Sequence, residues 1–271
     1  MFDNTTGANN VAVGFSALQS NTTATGNTAV GKDALKENVD GGNNTAVGLC
    51  SLRNNSTGGN NTAIGFRAGE DTTGGQNTAL GSCALFDNSS GDNNTAIGKE
   101  ALANNTTAAN NVAVGALALL ANTTADHNTA VGICALKTNT TGPQNTAVGA
   151  CSLNDNTTGG YNVGLGKQSL EHNVEGEGNV GIGYQTLCSQ NNAAADYNTG
   201  NGYRALRLNV SGANNTGIGK EALCANTTAD DNTAVGSLSL SANTTGNRNV
   251  AVGKNALLSN TTGVKKRAVG W

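Results

Sequence analysis

The sequence predicts an all-β fold, a parallel β-solenoid (β-roll) of about sixteen 17-residue coils, and three observations lead there. The first is a period. The segment "NNTAIGKEAL" (93–102) has near copies along the whole chain, and the glycine closing each copy's strand falls at Gly14, Gly31, Gly48, Gly65 and onward to Gly270. Of the fifteen intervals, thirteen are 17 residues, one is 16 and one is 19. The second is composition: 271 residues hold 38 Gly, one Pro, 3% aromatic and 12% charged residues, too few large apolar side chains for a conventional core. Disorder could share that composition, but it does not produce a strict period. The third is repeat size. Seventeen residues are too few for a helical hairpin, and their Gly, Asn and Thr disfavour helix. One solenoid coil per repeat remains, with about 4.8 Å of rise each, so that fifteen coils span roughly 70 Å. The chain reads as a single repeat domain, 1–271, with irregular coils at 65–81 and 183–202.

Each coil begins with a short strand. Directly before the closing glycine stands Val, Ile or Leu in fifteen of sixteen copies, Asn201 being the exception. Two residues earlier stands Thr or Val in all but the last copy, which has Arg267. Strand side chains alternate between faces, so these two point the same way, and their apolar character directs them into the coil. The glycine supplies a positive-φ corner. Charged residues follow it, as in Lys99-Glu100 and Lys220-Glu221, and mark a wet surface. Four residues after the glycine, Leu18, Leu35, Leu102 and Leu257 supply the facing layer. Two asparagine columns complete the coil. One opens "NTTG" (Asn21, Asn105, Asn122, Asn139, Asn156); the other precedes the strand, as in Asn27, Asn44, Asn61, Asn94, Asn128, Asn145 and Asn232. Asparagine tolerates turns and both donates and accepts, so stacked copies form ladders.

The position between the two apolar strand residues is Ala twelve times and Gly four times. It is expected to face outward, and an exposed position would vary in size and charge. Ala12, Ala29, Ala46, Ala63, Ala96, Ala113, Ala130, Ala147, Gly164, Gly181, Gly217, Ala234 and Ala251 are therefore read as a face pressed against another backbone, a subunit interface about a threefold axis. The competing explanation is that small residues suit a thin, sharply folded coil.

"NNVAVGALAL" (110–119) and "NVGIGYQTL" (179–187) resemble the head repeats of trimeric autotransporter adhesins, the YadA-like family. The Asn, the small residue between two apolar positions and the closing Gly match that family's signature. The resemblance covers essentially the whole chain, though through one short motif. It implies a left-handed parallel β-roll with three chains side by side. The coil here is longer, with its added "NTTG" corner, and no neck, stalk or membrane anchor follows within the sequence. Long-coil "NTAVGxxAL" arrays are also similar to segments of bacteriophage and large-virus fibres. The expected function is thus a non-enzymatic structural or adhesive fibre segment, extracellular, on a virion or cell surface. A virus or phage fibre shaft or head ranks above a bacterial adhesin head. The expected partners are the chain itself, as a homotrimer or end-to-end filament, and a cell-surface glycan or receptor.

Other chemistries find little support. No apolar run approaches about 20 residues, and no charged-then-apolar leader begins at Met1, so neither a membrane span nor a signal peptide is expected. A net charge of −3, with no basic cluster beyond Lys265-Lys266-Arg267, argues against nucleic acid. Cys50, Cys83, Cys134, Cys151, Cys188 and Cys224 include no C-x-x-C, and the first four share one surface column. Only Cys134 and Cys151 lie in adjacent coils. His127 and His172 are isolated in different columns, so no catalytic, cofactor or metal site is expected. Asp126 and Asp230-Asp231 read as solvated corners. The "NTT" and "NNT" triplets match the glycosylation sequon, but their asparagines already have a structural reason to exist. An ice-binding solenoid is the alternative from another class; it wants flat outward Thr rows, whereas the Thr column here alternates with Val and reads as inward, and the outer Thr of "NTT" gives way to Asp40, Glu175, Ser90 and Ser211.

Specificity is expected at the irregularities. The 16-residue interval loses its Leu position at Ala68-Gly69. The 19-residue interval, with "CSQNNAAADYNTGNG" (188–202), gathers Tyr184, Tyr197 and Tyr203 around an insertion, a candidate ligand contact. Met1 and Trp271 fall close to matching columns, from which an excerpt of a longer fibre, or end-to-end stacking, is expected.

Overall fold

The computed structural model describes residues 3–191 and 195–270; the register of Met1 and Trp271, and the centre of the 188–202 insertion, lie outside the described residues. The chain divides into two compact units, Met1–Cys134 and Ala135–Trp271. Both are parallel β-solenoids. In the first, eight three-residue strands follow one another: β1 Val11–Val13, β2 Thr28–Val30, β3 Thr45–Val47, β4 Thr62–Ile64, β5 Thr78–Leu80, β6 Thr95–Ile97, β7 Val112–Val114 and β8 Thr129–Val131. The second holds β9 Thr146–Val148, β10 Val163–Leu165, β11 Val180–Ile182, β12 Thr199–Asn201, β13 Thr216–Ile218, β14 Thr233–Val235, β15 Val250–Val252 and β16 Arg267–Val269. There is one strand per coil and no helix among the described residues, hence none able to cross a membrane.

Within each unit consecutive strands pair in parallel and in register, so each sequence column becomes a physical column. Thr95 sits beside Val112, Ala96 beside Ala113 and Ile97 beside Val114. The columns face opposite to the sequence expectation. Ala29, Ala46, Ala63, Ala96, Ala113, Ala130, Ala147, Ala234 and Ala251 are buried inside the coil, and Gly164, Gly181 and Gly217 with them; Ala12, in the first coil, is half-buried. The Thr/Val and Val/Ile/Leu columns face out. The reason is width. The Leu layer and the residue before it stand directly opposite: a methyl built on Gly164 would lie 2.5 Å from Ser152 Oγ and 3.4 Å from Cγ and Cδ1 of Leu153, so even Ala would press on the serine there and Val has no room. The small column is thus explained by the thin coil, and these residues are not an intersubunit surface.

The leucines do form the facing layer. Leu18, Leu35, Leu102, Leu119, Leu153 and Leu223 are fully buried. They also adopt left-handed backbone, with φ of 53° at Leu102 and 51° at Leu119, as do Glu100 (55°) and Asn110 (61°). That conformation costs an L-residue on the order of 1–2 kcal/mol. Bonds between coils offset it: Leu102 N–H donates to the Ala118 carbonyl at 2.9 Å, and Glu100 N–H to the Ser82 carbonyl at 2.9 Å. The closing glycines are more constrained still. At Gly98 φ is +134°, and a Cβ would lie 2.6 Å from the carbonyl carbon and oxygen of Gly115. Only glycine fits.

Two buried asparagine ladders flank the Leu layer. In one, the backbone N–H of Asn44 donates to Asn27 Oδ1 at 2.8 Å, while Asn44 Nδ2 donates to the Gly58 carbonyl at 2.8 Å. The same backbone bond links Asn61 to Asn44 at 2.8 Å, Asn94 to Asn77 at 2.9 Å and Asn232 to Asn215 at 3.0 Å. Asn128 and Asn145 occupy the same place and are fully buried. In the other ladder, Asn105 Nδ2 donates to Asn88 Oδ1 at 2.7 Å and to the Ala108 carbonyl, three residues on, at 2.9 Å. Each amide therefore closes its own corner and joins the neighbouring coil. The irregular coils break this second ladder. Thr72 replaces Asn in the short coil, and Asn55 Oδ1 is buried with no hydrogen-bond partner; Gln190 replaces Asn in the long one, and its Oε1 is likewise unpartnered. In the short coil Gly69 takes the Leu place at φ +57°.

Candidate functional site

Turning the strand inside out gives each unit an exposed aliphatic stripe. Ile64 is 44% exposed, Val148 39% and Ile218 39%, and the same column continues through Val30, Ile97, Ile182 and Val252. Beside it runs the half-buried Thr/Val column, with Thr28, Thr45 and Thr62 in register. In the first unit Phe15, Leu49, Phe66 and Ile133, each one residue after a closing glycine, widen the stripe. The row consists of methyl groups and threonine hydroxyls. What it can do is be buried.

The second unit interrupts the stripe where Asn201 replaces the aliphatic residue, and there the tyrosines lie. Tyr184 and Tyr203 stack with ring centroids 5.6 Å apart, and the Arg204 guanidinium lies 4.9 Å from the Tyr203 centroid. Tyr197 occupies a different corner, its ring over Gly178, where an added Cβ would meet Tyr197 Cδ1 at 2.7 Å. The described ring contacts join only Tyr184 and Tyr203 among the three.

The acidic corners have partners in the neighbouring coil. Asp126 Oδ1 accepts the Ala109 N–H at 2.7 Å, and Asp230 Oδ1 the Ala213 N–H at 2.8 Å. In the short coil, buried Glu70 pairs with Arg67 and, at 3.6 Å, with Arg53, while Arg67 lies 4.4 Å from the Phe86 ring centroid. The sequon asparagines of the "NTT" corners, Asn105 and Asn226 among them, are fully buried with bonded amides.

A third group was missed from the sequence. Asp155, His172 and Cys188 come from three consecutive coils and stack beside Glu171. Burial, and next the Glu171 carboxylate, push the Cys188 thiol up to about 11. The signal was the period itself, because residues 16 or 17 apart in such a solenoid are neighbours; a search for C-x-x-C spacing cannot find it.

No family model matches the chain, and no curated protein matches it.

Proposed function

We propose that this chain is a non-enzymatic structural or adhesive fibre segment, displayed on a virion or cell surface, whose copies associate along the aliphatic stripe. The observation that carries this reading is the outward Val/Ile/Leu column, kept apolar in fifteen of sixteen coils although none of the described residues covers it. A soluble monomer gains nothing from such a row, and a subunit interface does. Burying a half-exposed Val or Ile contributes on the order of 1 kcal/mol. Association costs roughly 4–15 kcal/mol in lost freedom, so single coils are too weak and a long array suffices. The trimeric state expected from the YadA-like resemblance is retained as part of the proposal, with its interface moved from the Ala/Gly column to the stripe. A virus or phage fibre ranks above a bacterial adhesin head. The Tyr184–Tyr203 pair supplies a face for stacking against a sugar ring of a surface glycan. Sedimentation velocity of the intact chain tests the proposal: a stable monomer at tens of micromolar would rule out the stripe as a self-association surface.

One observation favours a second reading. The Thr column faces outward in register, as an ice-binding solenoid requires, although five copies carry Val and one Arg. Thermal hysteresis in a monomeric preparation would establish it, and freezing at the colligative point would dismiss it.

A further inference from the structure

Among the described residues, one cluster of soft and hard metal donors lies beside the ladder discontinuity at Gln190. One ligand atom from each of Glu171, His172 and Cys188 lies within 4.8 Å of the others. Glu171 Oε2 is the shared vertex, 3.7 Å from Cys188 Sγ and 3.9 Å from His172 Nε2. Zinc takes sulfur at about 2.3 Å and nitrogen or oxygen at about 2.0–2.2 Å, so tetrahedral edges of roughly 3.3–3.6 Å follow. Those two separations need to close by up to about half an ångström, and the third, from the Cys188 sulfur to the imidazole, lies within 4.8 Å and closes by rotation of the half-exposed His172 side chain.

The surroundings already orient the donors. His172 Nδ1 hydrogen-bonds to Asp155 Oδ2 at 2.6 Å, which leaves Nε2 as the nitrogen facing Glu171. A carboxylate behind a histidine fixes its tautomer and raises its basicity, the arrangement commonly found around bound zinc. Gln168 Nε2 donates to both Glu171 oxygens, at 3.2 and 2.9 Å. His172 N–H donates to the Cys188 carbonyl at 3.3 Å, tying the two donor-bearing coils together through the backbone. The cysteine is buried, Glu171 partly so, and the imidazole half exposed, so ions and solvent enter from the histidine side.

We infer that Glu171, His172 and Cys188 bind a single zinc-class transition-metal ion, with Asp155 as the positioning residue and solvent completing the coordination. A thiolate with an imidazole and one carboxylate selects zinc over calcium or magnesium, which prefer all-oxygen shells. Binding releases the thiol proton and joins two coils through side chains where the asparagine ladder fails.

Titration of the intact chain with Co2+, a spectroscopic substitute for Zn2+, tests the site. Expected are one ion per chain, a near-ultraviolet thiolate-to-cobalt charge-transfer band that Zn2+ bleaches, and a melting temperature raised by Zn2+. Cys188→Ser abolishes the band, His172→Ala weakens binding at least tenfold, and Asp155→Asn weakens it about 10–100-fold while keeping the band. No stoichiometric band in the wild type, or a band that survives Cys188→Ser, overturns the inference. If Cys188→Ser fails to fold by circular dichroism, the half-exposed His172→Ala variant decides: unchanged affinity there also overturns it.

Discussion

Gly98 shows how little freedom single residues have in a coil this narrow. Its φ of +134° and its approach to Gly115 exclude any side chain. Gly98→Ala is expected to cost roughly 3 kcal/mol, the strain of a glycine-only backbone plus a clash with a carbonyl that cannot retreat. Denaturant unfolding would measure it, and a change within experimental error would mean that the coils can separate locally. Asp87 makes a gentler test. Burial, then the neighbouring Asp71, raises its carboxyl pKa above the ordinary 3.8. A carboxyl raised in the folded state favours folding when protonated and opposes it once ionised. Asp87→Asn should therefore stabilise the chain at pH 7, and the gain should vanish below pH 3.8, where the acid is neutral in both states.

Coils, as elements, are joined by backbone bonds and by amide rungs, and the two irregular coils show what a missing rung does. Asn55 Oδ1 is buried without a partner because Thr72 stands where the next amide belongs, its hydroxyl reaching only the Leu85 carbonyl at 3.4 Å. Thr72→Asn should restore the rung and stabilise the first unit by about 1 kcal/mol, the ordinary net value of a buried hydrogen bond. Thermal melts at fixed pH would show it; a lower melting temperature would mean that the 16-residue coil cannot admit the larger side chain. The interior Ala column makes the opposite prediction. Ala113 is fully buried against the Leu layer, so Ala113→Arg should place an unpaired charge in the core and cost of order 3 kcal/mol or more. Far-ultraviolet circular dichroism should report lost structure, not an intact monomer released from an oligomer.

At the scale of the whole molecule the question is which surface meets another copy. The stripe is apolar in fifteen of sixteen coils, whereas the column after the closing glycine is mixed, with Phe15 and Phe66 in some coils and Lys99 and Lys220 in others. Ile97→Lys with Val114→Lys should leave the melting temperature of the isolated chain nearly unchanged, because both residues already point to solvent. The pair should nevertheless shift the sedimentation coefficient to that of a monomer. An oligomer that survives both lysines would place the interface elsewhere and remove the main support for a fibre built on this column.

Period and composition sufficed for the parallel solenoid, the coil boundaries, the Leu layer and the absence of helix, because a 17-residue unit that repeats Gly, Asn and Leu in fixed columns can bury them only by stacking in register. They could not say which face of a three-residue strand turns inward. Alternation assigns Thr and Val one face and Ala the other, and hydrophobicity favoured the wrong one. The depth of the coil decided: with Leu filling the interior, at most a methyl group fits opposite, as at buried Ala96 and Ala113, and the larger aliphatics are forced to the surface. The Glu171–His172–Cys188 cluster was hidden for a related reason. Glu171 and His172 are neighbours in the chain, but Cys188 and Asp155 come from the coils on either side and meet them only after each coil is laid on the one before, a proximity that the spacing of a short motif does not display.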